Sequence, residues 1–124
     1  MCRARYGVAH NVATTELTDG NFQDTTAGKT VVIDFWADWC GPCRSFAPVF
    51  SKVSGTYDDV VFGKVDVDAN PALAQAFGVT AIPTLVVMRN NEVLLSQAGA
   101  LNESSLRSAI DKALQGPKRM TFRF

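Results

Sequence analysis

The chain has 124 residues, 47% of them hydrophobic, which suits one domain with a sizeable core and excludes a disordered protein. The formal net charge is zero, but all 12 acidic residues lie between Glu16 and Asp111, whereas five of the 12 basic residues lie at the two ends. Such an acidic body argues against a nucleic-acid-binding protein. No apolar run approaches the roughly 18 residues that a membrane-spanning helix needs, so we expect no membrane partner.

The ends of the chain differ from its body. Residues 1–11 carry basic side chains but no apolar segment of the kind that a secretory signal requires, so we expect a cytoplasmic protein. We interpret residues 1–11 as an N-terminal extension, 12–115 as the only domain, and 116–124 as a C-terminal tail. We expect a monomer, although Cys2 in the extension could form an intermolecular disulfide in air.

The first half of the domain is predicted as strand, helix, strand, helix. Val12 to Leu17 fits a short edge strand, and Phe22 to Ala27 fits a short helix. Thr30 to Ala37 is almost wholly apolar, which indicates a central strand covered on both faces. Between Gly41 and Tyr57 the apolar residues recur with helical spacing. They are Phe46, Val49, Phe50, Val53 and Tyr57.

The next segment is predicted as a strand followed by a helix. Val60 to Val67 is strand-like. Asn70 can cap a helix, Pro71 suits its first position, and Gly78 can close it.

The last segment is predicted as a hairpin and a final helix. Thr84 to Met88 and Glu92 to Ala98 are strand-like, and Asn90–Asn91 between them can adopt the left-handed angles of a tight turn. Asn102 can cap the helix, which we expect to end at Gly116–Pro117. The whole order is that of an α/β protein in which helical crossovers make the first strands parallel and the hairpin adds an antiparallel edge.

Two cysteines, Cys40 and Cys43, enclose Gly41 and Pro42 where the long helix is predicted to begin. Exposed N–H groups and the helix dipole stabilise a thiolate at Cys40, and Pro42 suits the first turn because its missing N–H is not needed there. Cys43, one turn further on, could attack a mixed disulfide formed on Cys40. This pattern predicts a redox-active dithiol with an outward-facing Cys40 nucleophile and Cys43 as the resolving thiol.

Two other interpretations of the cysteine pair remain open, and both are less favoured. A structural zinc site needs four ligands, and the chain has no second CxxC motif. The thiol and imidazole side chains available are Cys2, Cys40, Cys43 and His10. The pair could also be inert core thiols, but Trp39 and Gly41–Pro42 beside a helix start argue against that.

Asp34 interrupts the apolar strand that precedes the cysteines. Strand alternation puts Val32, Asp34 and Trp36 on one face, so Asp34 should be mostly buried and its pKa raised by desolvation. An acid that titrates near neutral pH can transfer protons. The alternative is a buried acid tolerated for packing reasons.

The sequence Trp39-Cys40-Gly41-Pro42-Cys43 after Asp34-Phe35-Trp36-Ala37 resembles the thioredoxin family, and the similarity runs from about Leu17 to Leu114. Further markers are Pro48, Lys64, Asn70-Pro71, Ile82-Pro83-Thr84 and Gly99. The resemblance implies the thioredoxin fold, an α/β fold with a central mixed five-stranded sheet flanked by about four helices. It implies a protein-disulfide reductase that binds no cofactor and uses NADPH indirectly, through a thioredoxin reductase. Disulfide-containing proteins would be its targets.

The resemblance also implies roles for residues outside the cysteine pair. Asp34 would help to deprotonate Cys43 through water, with Lys64 as its charge neighbour, although a lysine that only reaches for solvent is an alternative. Pro83 would follow a cis peptide bond and face the cysteines, whereas the residues alone also allow a trans proline that starts a strand.

A substrate surface follows from the same resemblance. Trp39, Ala81, Ile82, Gly99 and Ala100 would line it, and a target segment could add as a strand beside Ala81 and Ile82. Trp36 would pack beneath the site. A disulfide oxidant or isomerase, and a non-catalytic binding subunit with the same fold, are the competing functions.

Overall fold

The computed structural model describes residues 14–120, and the side chains of residues 14–115. The described elements follow one another as β1 (Thr14–Glu16), α1 (Phe22–Thr26), β2 (Thr30–Trp36), α2 (Gly41–Ser54), β3 (Val60–Asp66), α3 (Pro71–Ala76), β4 (Thr84–Arg89), β5 (Glu92–Ala98) and α4 (Glu103–Met120). Within this range no helix combines the length and apolar character needed to cross a membrane.

The strands form one five-stranded mixed sheet in the order β1-β3-β2-β4-β5. Both β1 and β2 run parallel to β3, and the crossover from β2 to β3 is made by α2. Strand β4 is antiparallel to β2 and to β5. The predicted α/β fold and mixed sheet are therefore confirmed, and β2, the strand that carries Asp34, lies at the centre.

Both faces of β2 are covered by helices, as its apolar sequence predicted. Val32 packs in one cluster with Phe46 and Phe50 of α2 and with Ile110 of α4. On the opposite face, Ile33 and its neighbours pack in a second cluster with side chains of α1 and α3. Because alternate residues share a face, Asp34 points to the α2 side together with Val32.

Two turn predictions are confirmed by backbone geometry. Asn90 and Asn91 have φ values of 52° and 68°, the left-handed angles that a tight hairpin turn requires. The side-chain Oδ1 of Asn102 accepts the backbone N–H of Ser105 at 2.8 Å, which caps α4.

The predicted cap of α3 is wrong. Asn70 occupies the N-cap position, but its side chain makes no cap hydrogen bond. The carboxylate of Asp19, 54 residues away in sequence, accepts the N–H of Leu73 at 3.0 Å instead. The Asn70 amide oxygen in turn accepts the N–H of Asp19 at 3.0 Å. A distant loop thus supplies the acceptor that we expected from the adjacent residue.

The predicted end of α4 is also wrong, because the helix continues through Gly116–Pro117 to Met120. Proline normally disfavours helical angles in the residue before it through a clash with that residue's Cβ, which glycine lacks. Proline also holds φ near the helical value, so a Gly–Pro pair can continue a helix, at the cost of one hydrogen bond and of crowding against the carbonyl four residues earlier.

Candidate active site

The cysteine pair is built by the junction between β2 and α2. Cys40 is the N-cap residue of α2, with extended backbone angles of φ −92° and ψ 111°. Its Sγ accepts the backbone N–H of Cys43 at 3.2 Å, and Pro42 lies in the first turn. A disulfide joins Cys40 to Cys43, whose Cα atoms are 5.3 Å apart. The reactive sulfur therefore satisfies one of the free N–H groups of the helix terminus.

The expectation of an outward-facing Cys40 is wrong for this oxidised form. Cys40 is only 4% exposed and Cys43 only 2%. The Sγ of Cys40 turns inward to its partner sulfur and lies 3.8 Å from the carbonyl oxygen of Ile82, whose loop covers it. Gly41 and Pro42 are exposed, so the rim of the site is open even though the sulfurs are not.

The loop opposite the disulfide contains Pro83. The Ile82–Pro83 peptide bond is cis, and Pro83 is buried just before β4. The carbonyl of Pro83 accepts the N–H of Gly99 at 2.8 Å, and Gly99 has φ +108°, which favours glycine. This bond brings Gly99 and the exposed Ala100 beside the loop.

Trp39 is 67% exposed and forms one wall of an open groove of about 430 Å³. The other lining residues are Val67, Ala74, Val79, Thr80, Ala81 and Ile82. Three of the residues predicted for the substrate surface, Trp39, Ala81 and Ile82, thus share one groove, whereas Gly99 and Ala100 do not line it.

Asp68 is a residue of the site that the sequence reasoning missed. Its carboxylate accepts the indole Nε1–H of Trp39 at 2.9 Å, which fixes the exposed ring. Asp68 lies 29 residues after Trp39, in the loop that follows β3 in the chain. No sequence motif links the two residues. Only the parallel pairing of β2 with β3 brings the ends of these strands together.

Asp34 is completely buried, and neither carboxylate oxygen has a hydrogen-bond partner among the described residues. Its neighbour in the sheet register is Lys64 of β3, whose Nζ lies 3.9 Å from Oδ2. Burial raises the pKa of Asp34 from 3.8 to about 6, and the charge of Lys64 opposes that rise. The carboxyl can therefore bind or release a proton near neutral pH.

Lys64 lies between the buried acid and the solvent. Its side chain is 26% exposed, and its Nζ is 5.3 Å from the centre of the Trp36 ring. Together with Thr14 and Glu16, Lys64 and Trp36 line a cavity of about 440 Å³. Lys64 is thus held near Asp34 without forming a hydrogen bond to it.

The part of the chain that the structure describes shows no cluster of three or more histidine, cysteine, aspartate or glutamate side chains arranged for a metal ion. Cys2 and His10, the remaining candidates for the zinc interpretation, lie outside the described residues.

A CxxC disulfide at the start of a helix, opposite a cis-proline loop and on a mixed five-stranded sheet, defines a thiol–disulfide oxidoreductase with the thioredoxin fold. Comparisons with known proteins agree. Residues 13–112 match the family model for thioredoxin. A thioredoxin-like protein of Streptomyces coelicolor is 50% identical over 102 residues, which cover 82% of this chain and 76% of that protein.

Two further relatives support the same assignment. Thioredoxin C-3 of Corynebacterium nephridii is 42% identical over 102 residues, which cover 81% of this chain and 70% of that protein. The crystal structure of Malassezia sympodialis thioredoxin superimposes with a TM-score of 0.73 at 41% identity, covering 81% of this chain and 90% of that one. The chain belongs to the thioredoxin family. It is a protein-disulfide reductase with Cys40–Cys43 as its redox-active disulfide, and neither competing function is favoured.

Proposed function

We propose that Cys40 is the attacking thiolate and Cys43 the resolving thiol. The Cys40 thiolate attacks one sulfur of a target disulfide, a mixed disulfide forms, and the other target sulfur leaves as a thiolate. Cys43 then attacks the Cys40 sulfur, so that the second target thiolate leaves and the Cys40–Cys43 disulfide closes. Two electrons pass to the target. The main support for Cys40 as the nucleophile is the hydrogen bond from the Cys43 N–H to the Cys40 Sγ, which favours negative charge on that sulfur.

Asp34 serves as the proton acceptor for Cys43, through water, in this proposal. It lies on the face of β2 that α2 covers, and it is buried without a hydrogen-bond partner among the described residues. Its raised pKa of about 6 lets it change protonation state under the conditions in which the enzyme works. Lys64 is its charge neighbour, 3.9 Å from Oδ2.

The target binds across the Trp39 groove and the loop of Pro83. No backbone hydrogen bond among the described residues uses the N–H or the carbonyl of Ile82, so an extended target segment can pair there as an added strand. The apolar groove beside Trp39 and Ala81 receives a target side chain. Gly99 and Ala100 form the opposite border, where small residues leave room for the target backbone.

The electron donor in this proposal is a thioredoxin reductase that uses NADPH, and the working form is a cytoplasmic monomer. Residues 12–115 make up the functional domain and residues 1–11 lie outside it, while the last part of α4 extends beyond residue 115 to Met120. The relatives named above support this assignment because their descriptions are those of thioredoxins.

A coupled assay tests the proposal: NADPH, a thioredoxin reductase and a disulfide-bonded test protein are mixed with each variant. Turnover should fall to background in Cys40→Ser and remain in Cys2→Ser, the matched control. If dithiothreitol supports turnover and the reductase with NADPH does not, the proposed donor is wrong but the exchange chemistry stands. Target binding without turnover under either donor would instead support a binding subunit.

Cys43→Ser tests the division of roles. With the resolving thiol removed, the mixed disulfide should accumulate, and mass spectrometry of digested complexes should find the target joined to Cys40. Adducts on Cys2 would contradict the assignment.

A further inference from the structure

Three charged residues form a row across the sheet. Asp34 of β2 pairs in register with Lys64 of β3, and Lys64 pairs in register with Glu16 of β1. Paired residues on parallel strands share a face, and adjacent strands lie about 4.8 Å apart. The lysine therefore stands between two carboxylates, one completely buried and one exposed at the edge of the sheet.

Lys64 forms no hydrogen bond with the carboxylate of Asp34 or with that of Glu16. Its ammonium lies 3.9 Å from Asp34 Oδ2, too far for a hydrogen bond, and forms no ion pair within 4.0 Å with Glu16. It also lies over the ring of Trp36, in the cavity that Glu16 helps to line. A flexible, half-buried cation in an open cavity can shift towards whichever carboxylate attracts it more strongly.

We propose that Glu16 is a positioning residue that shares the Lys64 ammonium with Asp34 and thereby sets the pH at which Asp34 takes up a proton. Its effect on exchange rests on the proposed function of Asp34 as proton acceptor. Its effect on the protonation of Asp34 does not.

The direction of the effect follows from the charges. The Glu16 carboxylate draws Lys64 outward and repels negative charge at Asp34, so both influences disfavour the ionised form of Asp34. The other groups beside Asp34 are uncharged. Strand β4 contributes Leu85 in register, and α2 packs on the same face of β2 through the uncharged Phe46 and Phe50. Lys64 is thus the charge that acts on Asp34 directly, and Glu16 is the next charge in the row.

Glu16→Gln tests the inference directly. Titration of the Asp34 carboxyl carbon by NMR in the oxidised protein should show a midpoint about 0.3 pH units lower than in the wild type, roughly a twofold change in the ionisation constant. Glu92→Gln removes the same charge at an exposed site on the far edge strand and should leave the midpoint unchanged. An unchanged midpoint in Glu16→Gln overturns the inference.

Repeating the Glu16→Gln titration in a Lys64→Met protein distinguishes an effect of Glu16 that acts through Lys64 from direct repulsion between Glu16 and Asp34. In Lys64→Met the cation that both carboxylates can attract is gone, and Glu16 can act on Asp34 only by direct repulsion across two strand spacings, about 10 Å. The shift caused by Glu16→Gln should therefore shrink to less than half. An equal shift in both backgrounds overturns the positioning role, because it would show that Lys64 does not mediate the effect.

The rate profile distinguishes this inference from the proposed function. If Asp34 accepts the proton of Cys43, the pH–rate profile of exchange in Glu16→Gln should move by the same amount as the NMR midpoint. A moved midpoint with an unmoved rate profile supports the shared lysine and overturns the role of Asp34 in catalysis. An unmoved midpoint overturns the shared lysine and leaves the role of Asp34 intact.

Discussion

The carboxyl of Asp34 is a cost to stability at the pH where the protein would work. It is buried with no hydrogen-bond partner among the described residues, and its pKa is raised to about 6 from 3.8. The folded state therefore binds the proton more tightly than the unfolded state. The contribution of Asp34 to stability should be most favourable below about pH 4, fall as the pH rises through about 6, and stay at the lower level above that.

Asp34→Asn should stabilise the protein where Asp34 is charged. A rise of about two pKa units corresponds to roughly 3 kcal/mol, and the buried amide that replaces the acid retains part of the desolvation cost. We expect the free energy of unfolding of the oxidised protein to increase by about 2 kcal/mol at pH 8. Urea denaturation measures it.

The pH dependence provides the control for this prediction. The gain should shrink to a small fraction at about pH 4, where the wild-type carboxyl is protonated in the folded state and only about half ionised in the unfolded state. A gain of equal size at both pH values would mean that packing, and not ionisation, is responsible.

At the scale of elements, local signals were sufficient where a structure depends on adjacent residues. The Asn90–Asn91 turn and the Asn102 cap needed only near neighbours, and both were predicted correctly. The start of α3 depends on Asp19, which arrives from another loop through the tertiary fold, so Asn70 was a reasonable but wrong choice.

Asp19→Ala should test that long-range cap. The substitution removes the acceptor for the Leu73 N–H, and caps of this kind contribute about 1 kcal/mol. We expect a loss of that size in the free energy of unfolding by urea denaturation. Asp58→Ala, the removal of an exposed carboxylate from the turn before β3, should change it by less than about 0.5 kcal/mol.

Amide hydrogen exchange would show which part of the structure Asp19→Ala destabilises. The amide of Leu73 should lose protection in Asp19→Ala, while amides in the centre of β2 keep theirs. Equal loss across the sheet would mean that Asp19 supports the whole fold and not the start of α3.

At the scale of the molecule, the sequence was most informative about the sheet and least informative about the site's outer parts. The apolar character of Thr30 to Ala37 correctly predicted a central strand, because burial on both faces leaves a compositional mark. Two other features depend on strand order, which local sequence composition does not reveal. They are the contact of Asp68 with Trp39 and the row formed by Glu16, Lys64 and Asp34.

Deletion of residues 2–11 tests the proposed limits of the domain. Strand β1 and its pairing with β3 begin at Thr14, and the family match begins at residue 13. The free energy of unfolding should change by less than about 0.5 kcal/mol, and turnover in the coupled assay should be unchanged. A larger loss would place residues 2–11 within the folded domain.

The backbone N–H of Cys43 donates to the Cys40 sulfur, so the strength of this hydrogen bond depends on the redox state of the cysteine pair. A disulfide sulfur is a weak acceptor, whereas a thiolate carries a full negative charge. This hydrogen bond should therefore be stronger in the reduced enzyme than in the oxidised enzyme. We therefore expect the amide hydrogen of Cys43 to exchange more slowly in the reduced form than in the oxidised form. In the cycle that we propose, the electron donor meets the oxidised form and the target meets the reduced form, so the two would contact an α2 N-terminus held by hydrogen bonds of different strength.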